Sequence, residues 1–377
     1  MAYLNKGTLW GIKEEASYAA ATTIAYPTDA VELIDPSMNG TLDAIERAVT
    51  KNSLVKAEAL VGKETSSGTL AVEVTSAVAG KVNGDVLYKS AMGVSIPAVT
   101  MAVPTAAPVG TSITMTSAAA YQIGQGVKCK IGASTYQYLT ITGITGNILT
   151  VAPALTATCT EVTGLQSYRL ATPSTPATSF TVEEYLTDAT GIKYKYSGVV
   201  CNSMSIEFPL ADIIKASFSV NGAGFTASTA AASTKVCMDL KPHIAKNIQF
   251  LYGGTSYDIN ELTLNVENEV YDSQALTGSG ISKKLITGKS NVGGNFTVDF
   301  DGLTLFNNYK ARTNGALVFS TTTSEGKKFG GYAPKVSLKS VQKNQDSGVY
   351  KNAAELQILS SDACINGIED AFSIWFE

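Results

Sequence analysis

His243 is the only histidine in the chain, and it sits in the run Lys241-Pro242-His243-Ile244. One imidazole can serve as a general base, but a nucleophile must accompany it, and no Gly-x-Ser-x-Gly elbow occurs. A sole histidine also rules out histidine-rich metal sites, so the ordinary reading is a residue of a connecting segment. Gly288-Lys289-Ser290 has the form of the end of a phosphate-binding loop, yet Lys283 stands where that motif needs its first glycine. The same Gly-Lys pair recurs at Gly62-Lys63, so it reads as hairpin architecture. Asp299-Phe300-Asp301-Gly302 has the alternating acids of a calcium loop, but Asn308 occupies the place of the bidentate glutamate. Acids on the polar face of a strand explain it better. Glu183-Glu184 with Asp188 offers paired carboxylates, with no aromatic cleft signature around them, and reads as a solvated face. Cys129, Cys159, Cys201, Cys237 and Cys364 are odd in number and widely spaced, without Cys-x-x-Cys, as free, mostly buried thiols made in a reducing cytoplasm would be. No catalytic, cofactor-binding or metal-binding residue is assigned.

Composition narrows the remaining classes. A chain of 377 residues with 45% hydrophobic content has room for two or three cores. Its 28 basic and 32 acidic residues give a net charge of -4, and Arg47, Arg169 and Arg312 are the only arginines. A protein that grips phosphate backbones shows a basic stripe, so tight nucleic-acid binding is not expected. A mildly acidic surface can still line a passage through which nucleic acid slides. The amino end lacks the apolar core of a signal peptide, and no apolar run is long enough to span a bilayer. Tyrosine is the commonest aromatic residue, 17 against 12 Phe and 2 Trp, which suits half-exposed strands and interfaces.

The elements that would carry any surface are strands. Met204-Ile206-Phe208, Phe218-Val220, Leu262-Leu264-Val266 and Leu356-Ile358 alternate with period two, as strands with one buried face do. Two short helices are predicted, Asp85–Met92 ended by Gly93 and Leu303–Thr313 ended by Asn314-Gly315. Leu42–Val49 is either a third helix or a loop-borne strand. These elements repeat. Leu60 to Val74 returns as Leu285 to Phe300, with turns at Glu64–Gly68 and through Gly293-Gly294. Tyr88–Gly93 is answered by Tyr309–Gly315, Gly198–Ile206 by Gly330–Leu338, and Phe218 and Val220 by Leu356 and Ile358. Four blocks in the same order point to a duplicated β-rich domain.

The first copy is interrupted. Between Pro97, Pro104 and Pro108 on one side and Pro173 and Pro176 on the other lie short strand patterns, including Tyr168-Arg169-Leu170, that the second copy lacks. Insertion of a small β-module into an exposed loop is tolerated thermodynamically. The domains expected are 1–94 plus 179–246, discontinuous; 95–178, the inserted module; and 247–377.

Several features together resemble the tail tube (major tail) proteins of long-tailed bacteriophages. They are the order Ala30-Val31-Glu32-Leu33, a polar connector to Lys51-Asn52-Ser53-Leu54, the Gly-Lys hairpin from Gly62 to Val74, the helix before Gly93, and the paired alternating strands after Gly198. The likeness is one of pattern and order. It implies a mainly β fold of two tandem β-sandwich, barrel-forming tube domains, each with a short helix, plus the small inserted β-module. It also implies a structural virion protein, not an enzyme, assembled in the host cytoplasm into stacked rings that form a channel for DNA delivery. Six tube domains per ring would make a two-copy chain a trimer, with a hexamer as the alternative. Tape-measure and tail-terminator proteins are the partners the family implies, and DNA passes without specific binding.

Closing sheets into a barrel satisfies exposed edges, and head-to-tail contacts build a ring. Candidate assembly residues are Glu64, Ser67 and Gly68 in the first hairpin and Ser290, Gly293 and Gly294 in the second. Phe372, Trp375 and Phe376 in the final strand either seal a neighbour or pack within their own domain. Alternative roles are another phage component (decoration, sheath or baseplate) or a β-type carbohydrate-binding module in the inserted segment, where Tyr121, Tyr136, Tyr138 and Tyr168 are the only large aromatics and no Trp occurs.

Overall fold

The computed structural model describes residues 8–46, 59–77, 81–106, 108–170, 177–186, 191–229, 240–246, 248–274, 281–286, 290–299, 303–322, 326–346, 348–360 and 372–377. The fold is mainly β. The first half runs β1 (Thr8–Glu14), α1 (Tyr26–Asp29), β2 (Ile34–Ile45), β3 (Leu60–Glu73), α2 (Asp85–Met92) and β4 (Gly93–Ile96). Next come β5 (Val99–Ala102), β6 (Gly110–Thr114), β7 (Gly126–Lys130), β8 (Tyr136–Thr145), β9 (Ile148–Leu155) and β10 (Glu161–Gly164). The half closes with β11 (Gln166–Leu170), β12 (Phe180–Leu186), β13 (Ile192–Phe208), β14 (Lys215–Gly222) and β15 (Gly224–Thr229). The second half has β16 (Gln249–Tyr252), β17 (Thr255–Ser256), β18 (Ile259–Glu267), β19 (Val270–Gln274), β20 (Ile281–Ile286), β21 (Asn291–Asp299) and α3 (Thr304–Lys310). It ends with β22 (Gly315–Thr322), β23 (Lys328–Asp346), β24 (Val349–Ile358) and β25 (Ser373–Phe376).

The alternating segments form strands because every second side chain is apolar and finds the same core. Leu70, Phe218, Met204, Leu264, Phe296 and Leu356 are all buried in one continuous cluster. The helix α2 has the bounds its sequence predicts, with Leu87, Tyr88, Ala91 and Met92 buried and Gly93 capping it. The segment from Leu42 is strand, since β2 continues to Ile45 and pairs there with Leu60.

The expected turns at Glu64–Gly68 and Gly293-Gly294 are absent. β3 passes straight through Glu64, Ser67 and Gly68, and β21 through Gly293 and Gly294. The glycines serve close approach instead of turning. A Cβ on Gly68 would lie 1.9 Å from the Ser37 carbonyl oxygen, and one on Gly294 2.1 Å from that of Thr263.

One antiparallel sheet runs β2-β3-β14-β13-β18-β21-β24-β23. β13 and β23 are long strands shared between layers. The start of β13 leaves this sheet to pair with β12 and β15, and β12 pairs with β1. The start of β23 pairs likewise with β22 and β25, and β22 with β16. The elements β1, β2, β3, α2, β12, β13, β14 and β15 thus correspond in order to β16, β18, β21, α3, β22, β23, β24 and β25.

This ladder moves two of the sequence matches. Gly68 faces Val220 and Gly294 faces Leu356, so Val220 corresponds to Leu356, two places from the match with Ile358. Register breaks follow Cys201 in β13 and Leu338 in β23, which equates those two residues in place of Ile206 with Leu338.

The strands β5-β10-β7-β8-β9-β6 form a separate sheet over their own core of Ile113, Val127, Leu139, Ile141, Leu149 and Val162. It leaves the main body after β4 and returns through β11, which pairs with β4 and with β25. Tyr168 and Leu170 therefore belong to the main core, not to the small sheet, and Tyr168 lies 5.4 Å from Tyr88 between ring centroids. The small sheet is tied to the last strand by Tyr138 stacked on Trp375 at 5.5 Å. Its Tyr138 hydroxyl also donates to Glu377 at 2.6 Å, and Lys128 pairs with Glu377 at 2.5 Å.

Candidate assembly interface

The eight-strand sheet has two unlike faces. Its inner face carries the apolar core. The other face shows Ser37 and Asn39 on β2, Ser67 and Thr69 on β3, Ser217 and Ser219 on β14, and Ser203 and Ser205 on β13. It continues through Thr263 and Asn265 on β18, Asn291, Asn295 and Thr297 on β21, and Glu355 and Gln357 on β24. Period-two alternation put these small polar groups together across two copies. Acids and lysines alternate on it: Lys215 lies between Glu73 and Glu207 in the ladder, and Lys339 pairs with Glu355 at 2.7 Å. Asn265, Glu267, Asn291, Gly293, Lys339 and Glu355 line a shallow polar depression.

The candidate residues fall in three places. Ser67 is exposed on the polar face and Gly293 floors its depression, whereas Gly68 and Gly294 lie next to them at the tight strand crossings. Glu64 is opposite Leu42, at the root of an arm that the ends of β2 and β3 extend past the sheet. Leu42, Ile45 and Leu60 are each at least 50% exposed on that arm. In the second half β19 and β20 make the matching arm, with Tyr271 exposed, and Ser290 stands at its root. The Ser290 hydroxyl donates to Asn268 Oδ1 at 2.7 Å, and Asn268 Nδ2 donates to the Ala91 carbonyl at 2.8 Å, tying the arm to α2. Phe372, Trp375 and Phe376 are buried within the chain. Of the two readings for them, packing in their own chain is the one the burial fits. Phe376 links Tyr88 at 5.1 Å to Phe329 at 4.8 Å, joining the two halves.

Sequence reasoning passed over the edges of this sheet. Before Leu42, β2 has the composition of a polar connector, and its residues from Asn39 onward are exposed on both faces. The signal available was Gln342-Lys343-Asn344-Gln345, a polar run continuing an alternating strand, as edge strands do.

The residues with chemical potential are placed apart. His243 lies in the connecting segment between β15 and β16 and is buried there. Its backbone N–H donates to Val74 O at 2.8 Å and its carbonyl accepts from Ile214 N at 2.9 Å. Burial, reinforced by the Lys327 charge, lowers its pKa to about 4. Glu183 is not on a solvated face. It is buried, accepts from the Tyr26 hydroxyl at 3.0 Å and pairs with Lys193 at 2.9 Å. Glu184, on the opposite face of the same strand, is raised by burial, so the two carboxylates do not converge. Asp188, Gly288, Lys289, Phe300, Asp301, Gly302, Cys237 and Cys364 lie outside the described residues. Cys129, Cys159 and Cys201 are buried thiols. Among the described residues no group of three or more His, Cys, Asp or Glu is placed to hold a metal, and no helix is long and apolar enough to cross a membrane.

A mainly β chain with large antiparallel sheets is consistent with a β-rich tube protein. A family model described as phage tail tube protein matches residues 7–353, nearly the whole chain, and the chain belongs to that family. It is a structural component of a viral tail. A comparison with individually curated proteins gives no match.

Proposed function

We propose that this chain polymerises as stacked rings into the tail tube, with the polar face of the eight-strand sheet turned to the channel and no catalytic task. The observation that carries the reading is that sheet: two sets of four strands, joined edge to edge within one chain, with a mainly polar face of Ser, Thr and Asn mixed with acids and lysines. Two tube domains, residues 1–94 with 179–246 and residues 247–377, give each chain two places in a ring. Three chains then bring twenty-four strands. At roughly 4.8 Å spacing and about 40° tilt these enclose a backbone circle about 48 Å across, wider than a porin channel and roomy for a DNA duplex. A face with both charge signs and no arginine suits passage without retention.

The two exposed arms point from one end of the sheet and are suited to contact the next ring. The small β5–β10 sheet, on the far side of the core from the polar face, decorates the outside. Assembly takes place in the host cytoplasm, with tape-measure and tail-terminator proteins as the partners of a finished tail. Negative-stain images of purified protein test this: tubes with an open lumen are expected, and discs, spikes or persistent monomers at high concentration would overturn it. The mass of a single ring tests the trimer, since six chains would place twelve domains around the hole.

A further inference from the structure

The chain contains its own template for the contact between chains. Within it, the first copy meets the second where β13 pairs with β18: Ser203 opposite Glu267, Ser205 opposite Asn265, Glu207 opposite Thr263. Both partners have counterparts at the two ends of the sheet. The register breaks after Cys201 and Leu338 make Ser203 of β13 equivalent to Ser340 of β23. The tight glycines, Gly68 opposite Met38 and Gly294 opposite Leu264, make Met38 of β2 equivalent to Leu264 of β18. Each of these end strands takes part in one ladder along this stretch, β2 with β3 and the end of β23 with β24, and no second strand pairs with either there among the described residues.

We infer that the end of β23 in one chain pairs antiparallel with β2 of a second copy in the register of the internal seam. This rests on the tube reading above and adds the edges and the alignment. Ser340 then lies opposite Thr41, Val341 opposite Gly40, Gln342 opposite Asn39, and Asn344 opposite Ser37. The backbone parity is favourable. Ser37 and Thr263 crowd the glycines of the strands behind them, which leaves the groups of Met38 and Leu264 directed to the outer side. The Met38 carbonyl accepts from the Tyr196 hydroxyl at 3.1 Å and keeps a second lone pair for a strand. The two seams differ in chemistry. Met204, Ile206 and Phe208 make the internal one apolar beneath the sheet, while the same places on β23 hold Val341, Lys343 and Gln345. A polar edge keeps the free chain soluble until a matching edge arrives.

In this register Asn39 and Gln342 form a pair without mutual backbone hydrogen bonds, where α-carbons approach to about 4.5 Å, within disulfide range. The test is the double variant Asn39→Cys with Gln342→Cys in the full chain, assembled and then oxidised with copper phenanthroline. Both positions are exposed, so folding is not at stake. Non-reducing gels should show chains linked in twos and threes, with the trimer as the last band, and linkage about tenfold faster than for the shifted pair Asn39→Cys with Asn344→Cys. The single variants and the unaltered chain give the background from the native cysteines. Tubes in the microscope with no linkage of the matched pair, or with faster linkage of the shifted pair, overturn the register and leave the tube standing. Linkage without tubes supports the seam and sinks the tube. Neither tubes nor linkage sinks both.

Discussion

Acid should weaken the folded chain through His243, by an amount the structure sets. Its ring is fully buried, 5.9 Å from Phe329 between centroids, and both ring nitrogens lack a hydrogen-bond partner. The folded pKa is depressed to about 4 against the ordinary 6.5. In the unfolded chain the imidazole takes up a proton below about pH 6.5, while the folded chain refuses it until about pH 4. Stability is therefore complete above 6.5, declines as pH falls from 6.5 to 4, and levels off below. Between about pH 7.5 and about pH 4.5 the linkage amounts to about 2.5 kcal/mol. The perturbation is His243→Leu, which fills the site without a titrating group. Urea unfolding of the disassembled chain, with and without the substitution at both pH values, gives the comparison. The unaltered chain should lose about 2.5 kcal/mol more than the variant on acidification. Glu184 is raised by burial and acts in the opposite sense, but it is present in both proteins and cancels. Equal losses in the two proteins would refute a buried, unpartnered, neutral imidazole.

Gly294→Ala and Gly68→Ala should each cost about 2–4 kcal/mol in urea unfolding, because a Cβ would meet a neighbouring backbone oxygen that cannot step aside. Glu15→Ala should cost about 2–4 kcal/mol in the same assay, since the buried carboxylate accepts from Ser179, Thr181, and the Ala19 and Gly198 N–H groups. Trp375→Ala removes both a core ring and the platform under Tyr138. A loss of about 3–5 kcal/mol is expected, with faster release of the β5–β10 sheet by limited proteolysis. Leu42→Asp with Leu60→Asp, on the exposed arm, should shorten tubes in micrographs while leaving single rings intact. Tubes of unchanged length would remove the arms from stacking.

Much of this was legible in the sequence because it is local. The helix at Asp85–Met92 announces itself by its buried face and by Gly93, and the core strands by strict alternation. What misled is set by partners distant in sequence. Gly293-Gly294 has the local form of a hairpin turn, and only the Thr263 carbonyl across the ladder shows why glycine is needed there. The match of Gly198–Ile206 to Gly330–Leu338 follows residue type, whereas the bulges that fix true equivalence are invisible without the neighbouring strand. β2 was legible only in part, with Leu42–Val49 open to a strand or a helix, because among the described residues it pairs beyond Met38 on one side alone and its Leu42 and Ile45 meet solvent in place of a core.

The internal seam between β13 and β18 has a consequence for how the proposed rings would come together. Joining two bodies in solution forfeits translational and rotational freedom worth about 4–15 kcal/mol at each encounter. On the three-chain ring proposed above, a chain that folds with two wedges already fused would meet that loss at half the seams, and closure would be an encounter of three bodies in place of six. In that proposed ring the fused pair would hold its wedges at one fixed angle, so the curvature of the first arc would be decided by folding and handed to every later addition.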